Sequence, residues 1–330
     1  LFYIEKLMKN FISTFLIMIL ALVIISCGGS DDSSSISSSS DSAVITESLS
    51  GNGVVIVTGL SGNILKSTDK GSSFDNATSP TSKNLYEVEF GNSTFVVSGD
   101  NGTILKSSDN GTSFESITTS TTNTLFGVGF GNNIFTAVGI SGSIVKSTDN
   151  GVTWDNATSP TANYLRGIVF GNNTFIAVGD SGNIVRSDDG SSFDNVTSPV
   201  TSDLYGVGYG NSTFVAVGDN GTILRSTNEN GSSWDNASSS TTSNLYGVVF
   251  GNNVFVAVGD NGTIVRSTDN GSSWNNVTSP TSNFLIGIGF GYNTFVAAGT
   301  NGNILRSTDN GSSWDNATSP TVNQLRGVGF

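Results

Sequence analysis

The sequence predicts an all-β fold, a seven-bladed β-propeller of four-stranded antiparallel blades, with the ring closed by the C-terminal strand joining the N-terminal blade. The first observation is an octet, STDNGSSW, which occurs at 267–274 and 307–314, with five variant copies elsewhere. The second is its period, which is 40 residues with one interval of 39 and one of 41. The third is that no helical period follows residue 27. A repeat of about 40 residues is typical of propeller blades and solenoids.

Each repeat contains four strand-like segments, as the unit 245–284 shows. Segments 245–250 and Val254–Gly259 are rich in β-branched and aromatic residues and are separated by Gly-Asn-Asn. An Asp-Asn-Gly turn signal precedes segment 263–268, and the octet turns the chain into segment 273–278. We name these segments strands a, b, c and d, and we expect strand a to lie innermost.

The two ends of the repeat region complement each other. The region begins with strands b, c and d at 54–78, continues through six whole repeats, and finishes with one strand a at 325–330. Three strands and one strand add up to a blade. We therefore expect 325–330 to pair with the strand around 54–59, which would favour a closed ring over a solenoid.

The N-terminal region has the layout of a targeting signal. We interpret residues 1–7 as upstream read-through and 8–27 as a signal peptide, because a lysine and a long apolar run end at Ser-Cys. This ending resembles a bacterial lipobox, which implies diacylation of Cys27 and a membrane anchor; the alternative is an ordinary signal peptide or anchor helix with an incidental cysteine. Gly28 follows the cysteine, which by the same resemblance favours a cell-envelope lipoprotein of the outer membrane.

Residues 28–50 are interpreted as a flexible tether and 51–330 as the propeller. The tether is rich in serine and poor in apolar residues, so little burial is available to offset the entropy of ordering. This division predicts a propeller held away from a membrane surface, and we expect it to be monomeric.

Composition narrows the possible chemistry. The net charge is −13 and no Lys/Arg cluster is present, which argues against nucleic acid as a partner. The chain has no His and one Cys, which excludes a Ser-His-Asp triad, a Cys-His pair and a His/Cys zinc site. We expect no cofactor and no metal.

The octet predicts a turn between strands c and d. Asp269 can accept backbone N–H bonds, Gly271 can adopt a positive φ, the Ser267 hydroxyl can satisfy another turn group, and Trp274 can fill the gap between blades. Calcium binding is the alternative, but each octet supplies one carboxylate, far fewer ligands than calcium takes. The pattern Ser-x-Asp-x-Gly-x-x-Trp resembles the Asp-box, or bacterial neuraminidase repeat, which implies a structural role for Asp69, Asp109, Asp149, Asp269 and Asp309.

The wider unit AVGDNGTIVRSTDNGSSW, at 257–274, resembles the repeats of the photosystem II assembly and stability factor propellers. That resemblance implies a binding or assembly function and an acidic partner segment held by a ring of cations. The alternative is that each cation packs between blades and pairs with a turn carboxylate or stacks on a blade tryptophan. One cation recurs on strand c of every blade: Lys66, Lys106, Lys146, Arg186, Arg225, Arg266 and Arg306.

Positions that break the repeat are better candidates for binding, because the fold does not dictate them. The second residue of strand a varies from blade to blade and would surround one mouth of the channel. Aromatic residues and arginines converging there predict a site for a protein or glycan partner, although they could instead fill gaps between blades. The candidate binding residues are Tyr86, Phe126, Arg166, Tyr205, Tyr246 and Arg326.

Glu87 and Glu89 stand where other blades carry Gly or Val. They could form a cation site or the acid/base pair of a glycosidase, or they could be ordinary solvated carboxylates facing the channel. Two classes of function therefore remain open. The favoured one is a non-catalytic binding or assembly scaffold; the alternative is a glycoside hydrolase similar to the Asp-box sialidases or xyloglucanases.

Overall fold

The computed structural model describes residues 53–330, which form seven four-stranded antiparallel sheets. The predictions for residues 1–52, including lipidation at Cys27 and the serine-rich tether, lie outside the described residues. No helix within 53–330 is long and apolar enough to cross a membrane.

Each sheet is one blade, with strands in the order a, b, c, d. The a strands are β4 (Leu85–Gly91), β8 (Leu125–Gly131), β12 (Leu165–Gly171), β16 (Leu204–Gly210), β20 (Leu245–Gly251), β24 (Leu285–Gly291) and β28 (Leu325–Gly329). The b strands are β5 (Thr94–Gly99), β9 (Ile134–Gly139), β13 (Thr174–Gly179), β17 (Thr213–Gly218), β21 (Val254–Gly259), β25 (Thr294–Gly299) and β1 (Val55–Gly59). The c strands are β6 (Ile104–Ser107), β10 (Ile144–Ser147), β14 (Ile184–Ser187), β18 (Ile223–Ser226), β22 (Ile264–Ser267), β26 (Ile304–Ser307) and β2 (Ile64–Ser67). The d strands are β7 (Glu115–Ile117), β11 (Asp155–Asn156), β15 (Asp194–Val196), β19 (Asp235–Asn236), β23 (Asn275–Val277), β27 (Asp315–Asn316) and β3 (Asp75–Asn76).

The ring closes within blade 7, which combines β28 with β1, β2 and β3; blades 1 to 6 follow in chain order from β4. Strand β28 pairs antiparallel with β1, placing Ile56 opposite Gly329 and Val57 opposite Val328. Each a strand also packs against the a strands of both neighbouring blades, so these strands form the inner wall of the ring. The predicted propeller and its closure by the C-terminal strand are confirmed.

The outer strands are shorter than the sequence suggested. Strand d was expected over 273–278 but spans Asn275–Val277 in this blade. The reason is that the Ser273 N–H donates to a carboxylate oxygen of Asp269, at 2.9 Å, and is therefore unavailable to the sheet. The octet turn thus extends further than the spacing indicated.

The core lies between the blades. In one of its clusters, Val215 and Val217 of blade 4 pack with Leu245, Phe255 and Trp274 of blade 5. The indole Nε1–H of Trp274 donates to the Gly271 carbonyl at 3.1 Å, so this large side chain is buried without losing its hydrogen bond. Because burial occurs across blades, each blade depends on its neighbours.

Glycines allow the a strands to converge. A Cβ placed on Gly287 would lie 1.7 Å from the Arg326 carbonyl oxygen, and one on Gly127 would lie 3.2 Å from the Arg166 carbonyl oxygen. Backbone atoms therefore form much of the channel wall at this level. Blade 1 differs, because Glu87 occupies the corresponding position.

Candidate binding site at one mouth of the ring

The octet aspartates lie in the c–d turns, on the face that also carries the a–b turns. In the first octet the hydroxyl of Ser67 donates to Asp69 Oδ1 at 2.7 Å, and the Ser73 N–H donates to the same atom at 3.0 Å. The Ser73 hydroxyl donates to Oδ2 at 2.7 Å, and the Gly71 N–H donates to the Ser67 hydroxyl oxygen at 2.9 Å. Partial burial acts to raise the pKa of Asp69, but these hydrogen bonds outweigh it and lower the pKa to about 2. Three corresponding bonds to the aspartate recur at Asp109, Asp149, Asp269 and Asp309.

These turns offer little to a metal ion. Each carboxylate is filled by donors from its own turn, and residues 53–330 hold no group of three or more Asp, Glu, Cys and His side chains arranged for a metal. Calcium prefers six to eight oxygen ligands. The contacts of these aspartates are those of a turn.

Several strand-c cations contact the following blade. The Nε–H of Arg225 donates to the Asn270 carbonyl at 2.7 Å, and that of Arg266 donates to the Asn310 carbonyl at 2.6 Å. Lys66 similarly donates to the hydroxyl of Thr112 at 2.9 Å. The observed partners of these three cations are therefore carbonyl and hydroxyl oxygens of the next octet, and not the turn carboxylate or blade tryptophan of the alternative interpretation. Arg186 does pair with a turn carboxylate, that of Asp188.

The variable residues of strand a lie on the opposite face, which carries the b–c turns and the d–a linkers. Six of them form one continuous series of ring contacts, which we call the mouth stack. The Cζ of Arg326 lies 5.1 Å from the ring centroid of Tyr86, whose ring centroid lies 5.1 Å from that of Phe126. The Cζ of Arg166 lies 5.3 Å from the centroid of Phe126 and 5.7 Å from that of Tyr205. The Tyr205 and Tyr246 centroids are 5.3 Å apart.

The stack unites all six residues that the sequence predicted for binding: Tyr86, Phe126, Arg166, Tyr205, Tyr246 and Arg326. The second residue of strand a in blade 6 is Ile286, and within 53–330 the series of ring contacts has no member there. Tyr164, which is 39% exposed, extends the stack outward, since its centroid lies 5.6 Å from the Cζ of Arg166. The mouth therefore presents a contiguous aromatic and guanidinium surface.

Aspartates of the b–c turns fix the polar ends of this stack. Each tyrosine hydroxyl donates to a turn carboxylate at 2.7 Å: Tyr86 to Asp100, Tyr205 to Asp219, and Tyr246 to Asp260. Arg166 forms a salt bridge with Asp180, with 2.7 Å between Nε and Oδ1.

Burial and the bonded Asp100 carboxylate raise the pKa of Tyr86 to about 12, and burial with Asp260 does the same for Tyr246. Both phenols are therefore neutral donors at neutral pH. Sequence reasoning missed the b–c turn aspartates, although each follows its partner by 14 residues, as Tyr86 and Asp100 show.

Arg326 differs from its counterparts. The b–c turn of blade 7 begins with Leu60 in place of aspartate. Within the described residues, Arg326 Nε is buried and has no hydrogen-bond partner. Burial lowers the pKa of Arg326, although the nearby Tyr86 and Asp100 act against that shift. The Nε–H of this half-buried cation is therefore withdrawn from water without a hydrogen-bonded anion among the described residues.

Glu87 and Glu89 lie on the inner strand of blade 1, half-buried beside the channel. Glu87 Oε1 accepts the Val88 N–H at 3.2 Å. Burial raises the pKa of Glu87 to about 8, and burial together with the charge of Glu87 raises that of Glu89 to about 8. Both side chains are thus partly withdrawn from water beside the channel, and their role, as solvated carboxylates, a cation site or an acid/base pair, stays a prediction. An acid/base pair would need pKa values moved apart, whereas both move upward.

A shallow depression of about 430 Å³ lies on the other face, between the a–b turns of blades 5 and 6 and the octet of blade 7. Its wall includes Phe250, Phe290, Lys70 and Tyr292. Tyr292 has a φ of 52° where other blades carry Asn, and its hydroxyl is buried without a partner among the described residues. This depression is separate from the mouth stack.

Comparisons with known proteins agree with the propeller class. The family model of the DUF6242 beta propeller domain matches residues 207–325. Among solved structures, YCF48 bound to D1 peptide is similar with a TM-score of 0.59 and 20% identity, covering 72% of this chain and 81% of that one. YCF48 from Cyanidioschyzon merolae has a TM-score of 0.59 and 18% identity, covering 74% and 88%. The computationally designed Ika8 protein has a TM-score of 0.62 and 12% identity, covering 83% and 86%. No curated protein matches the chain. At these identities the likeness concerns the fold.

Proposed function

We propose that the chain is a non-catalytic binding or assembly-scaffold propeller that takes a protein partner at the mouth stack. The observation that carries this proposal is the stack itself, because its six residues break an otherwise close repeat and nevertheless contact one another in series. These contacts are not part of the core between blades, which is formed by other side chains of strands a, b and c together with the octet tryptophan.

The chemistry of the stack suits protein recognition. Tyrosine and arginine are the residues that most often dominate binding energy in interfaces. Here the hydroxyls of Tyr205 and Tyr246 are already fixed by Asp219 and Asp260. Little side-chain freedom would therefore be lost on binding, which favours affinity. The similar fold of YCF48, one of whose structures is described as bound to a D1 peptide, gives a precedent for peptide binding by such a ring.

We further propose that the chain is a lipoprotein of the cell envelope, held at the outer membrane through a diacylated Cys27. The support is the sequence at 8–27, where an apolar run ends at the cysteine. A tether over 28–50 would let the propeller turn its mouth toward a partner.

Peptide binding can be tested with an array of random octapeptides that carry free carboxyl termini, alongside a glycan panel. The double variant Tyr205→Ala, Tyr246→Ala should bind selected peptides more weakly by two or more orders of magnitude, since such anchors contribute roughly 2 kcal/mol each. Val152→Ala is the matched control, because Val152 is an apolar side chain that is 51% exposed in an octet turn on the other face. Retention of glycans with no retained peptide, or equal peptide binding by the double variant, would refute the proposal.

The glycoside hydrolase alternative has less support. Two carboxyl groups whose pKa values are both about 8 would leave the site without an ionised nucleophile or base at neutral pH. Sugar release from the same glycan panel by the parent chain, lost in Glu87→Gln, would establish it in place of the binding role.

A further inference from the structure

We propose that Arg326 binds a single carboxylate of the partner, so that the segment entering the mouth carries one carboxylate on an otherwise neutral or basic stretch. This inference rests on the proposed function and names the chemistry that the mouth stack would select. It follows from a comparison that the repeat itself provides.

Polar mouth residues and turn aspartates occur together in the other blades. Where the second residue of strand a is tyrosine or arginine, the first residue of the b–c turn is aspartate and bonds to it; where the mouth residue is Phe126 or Ile286, the turn begins with Ile140 or Thr300. Blade 7 is the exception, with Arg326 facing a turn that begins with Leu60. The bonded pairs are Tyr86 with Asp100, Arg166 with Asp180, Tyr205 with Asp219, and Tyr246 with Asp260.

The backbone of the exceptional blade is the same as elsewhere. The Leu60 N–H donates to the Gln324 carbonyl at 2.9 Å, just as the Asp180 N–H donates to the Tyr164 carbonyl at 2.9 Å. Leu60 therefore occupies the position from which Asp180 reaches Arg166. Only the carboxylate is missing.

Among the described residues, no neighbouring group takes the place of the missing turn carboxylate. The contact of the Arg326 guanidinium is with the ring of Tyr86, and its Nε is buried without an acceptor among the described residues. Oδ1 of the nearby Asp100 already accepts bonds from the Tyr86 hydroxyl at 2.7 Å and from the Thr124 hydroxyl at 3.3 Å. A buried guanidinium N–H without an acceptor is costly, and a planar guanidinium matches a carboxylate with two parallel bonds. A ligand carboxylate would supply what the blade lacks.

The rest of the mouth argues for one carboxylate and against a strongly acidic segment. Acidic residues on this face outnumber the cations Lys83, Arg166 and Arg326, and Arg166 is already paired. Repulsion would therefore disfavour several acidic side chains in a row. The resemblance of the repeats implied a different ligand, an acidic partner segment held by the ring of strand-c cations. Those cations instead contact octet turns near the opposite face. The acidic residues of the mouth are Asp100, Asp180, Asp203, Asp219 and Asp260.

The test installs the missing anion. In Leu60→Asp the new carboxylate should pair with Arg326 as Asp180 pairs with Arg166, which should raise the melting temperature and lower affinity for carboxylate ligands by about tenfold or more. Leu60→Asn is the matched control, because it is similar in size, suits the turn and adds no charge. Arg326→Gln should lose the same affinity by removing the cation.

Two probes separate this inference from the proposed function. Sodium acetate should shift the Arg326 Nε–Hε resonance of the full chain in a saturable way, in the parent and Leu60→Asn but not in Leu60→Asp. Octapeptides with free carboxyl termini, or amidated peptides with one Glu, should bind more tightly than amidated peptides without an acidic residue. Peptides that bind regardless of their carboxylate, and equally to Leu60→Asp, would overturn the inference and leave the binding role standing. An acetate shift without any peptide binding would leave the carboxylate site standing and overturn the role.

Discussion

Closure of the ring can be tested at Leu325, the first residue of β28. Its side chain is fully buried and packs with Val57 and Leu65 of the N-terminal strands and Val296 of blade 6. Leu325→Ala removes a buried leucine from this seam, so we expect a loss of about 3 kcal/mol in the free energy of unfolding, within the roughly 2–5 kcal/mol found for such changes. In a domain of this size, each kcal/mol lowers the melting temperature by roughly 2 °C. Calorimetry and urea unfolding would measure both quantities.

Two matched variants make the result decisive. Val322→Ala lies three residues earlier at a side chain that is 82% exposed, and should change the free energy of unfolding by less than about 0.5 kcal/mol. Leu165→Ala removes the corresponding fully buried leucine of blade 3, away from the seam. If Leu325→Ala resembled Val322→Ala while Leu165→Ala cost the expected amount, the C-terminal strand would not be closing the ring in solution.

Three further predictions concern the turns, the channel and the anchor. Asp269→Ala removes three hydrogen bonds and should cost about 1–3 kcal/mol at neutral pH, whereas Asp155→Ala, at an exposed side chain, should change the melting temperature little at that pH. Because the pKa of Asp269 is lowered, the cost of Asp269→Ala should shrink as the pH falls through that pKa, and a cost that stays constant in melting experiments would contradict this. Glu87→Gln should be more stable than the parent at pH 9 but not at pH 4. The reason is that the pKa of Glu87 is raised in the folded state, so the parent loses stability as the pH rises from 4.5 towards 8. Melting curves with the same midpoint difference at both pH values would contradict this. Cys27→Ser should leave an unprocessed precursor that incorporates no labelled palmitate, and normal processing of that variant would exclude lipidation.

Much of the fold could be predicted because every repeat carries the same strand and turn signals. Period, turn signals and β-branched runs located strands such as Val254–Gly259 to the residue. Strand d was predicted to begin too early, because the sequence does not show that Ser273 directs its N–H to Asp269 rather than to the sheet. Strand pairing is periodic, whereas this competition between side chain and backbone is local.

The residues that line the mouth were predicted from the sequence, but their contacts were not. Sequence comparison of the blades identified Tyr205 and Arg326 as variable, yet it did not indicate that Tyr205 would bond to Asp219 or that Arg326 would face Leu60. The raised pKa of Glu87 was also missed, because burial at the channel depends on how closely the inner strands approach. Partnerships across turns and across the ring require the assembled structure.

The differences among the mouth residues have a consequence for the orientation of a bound partner. A ring of seven identical blades would offer a ligand seven rotational settings of equal energy. Singling out one of seven corresponds to RT ln 7, on the order of 1 kcal/mol, so a modest local preference is enough to lift the degeneracy. The unpaired Arg326 in blade 7 and the carboxyl groups of Glu87 and Glu89 in the adjoining blade mark one sector of the circle. A partner docked against that sector would bind in one rotational setting about the ring axis, although the ring itself is nearly symmetric.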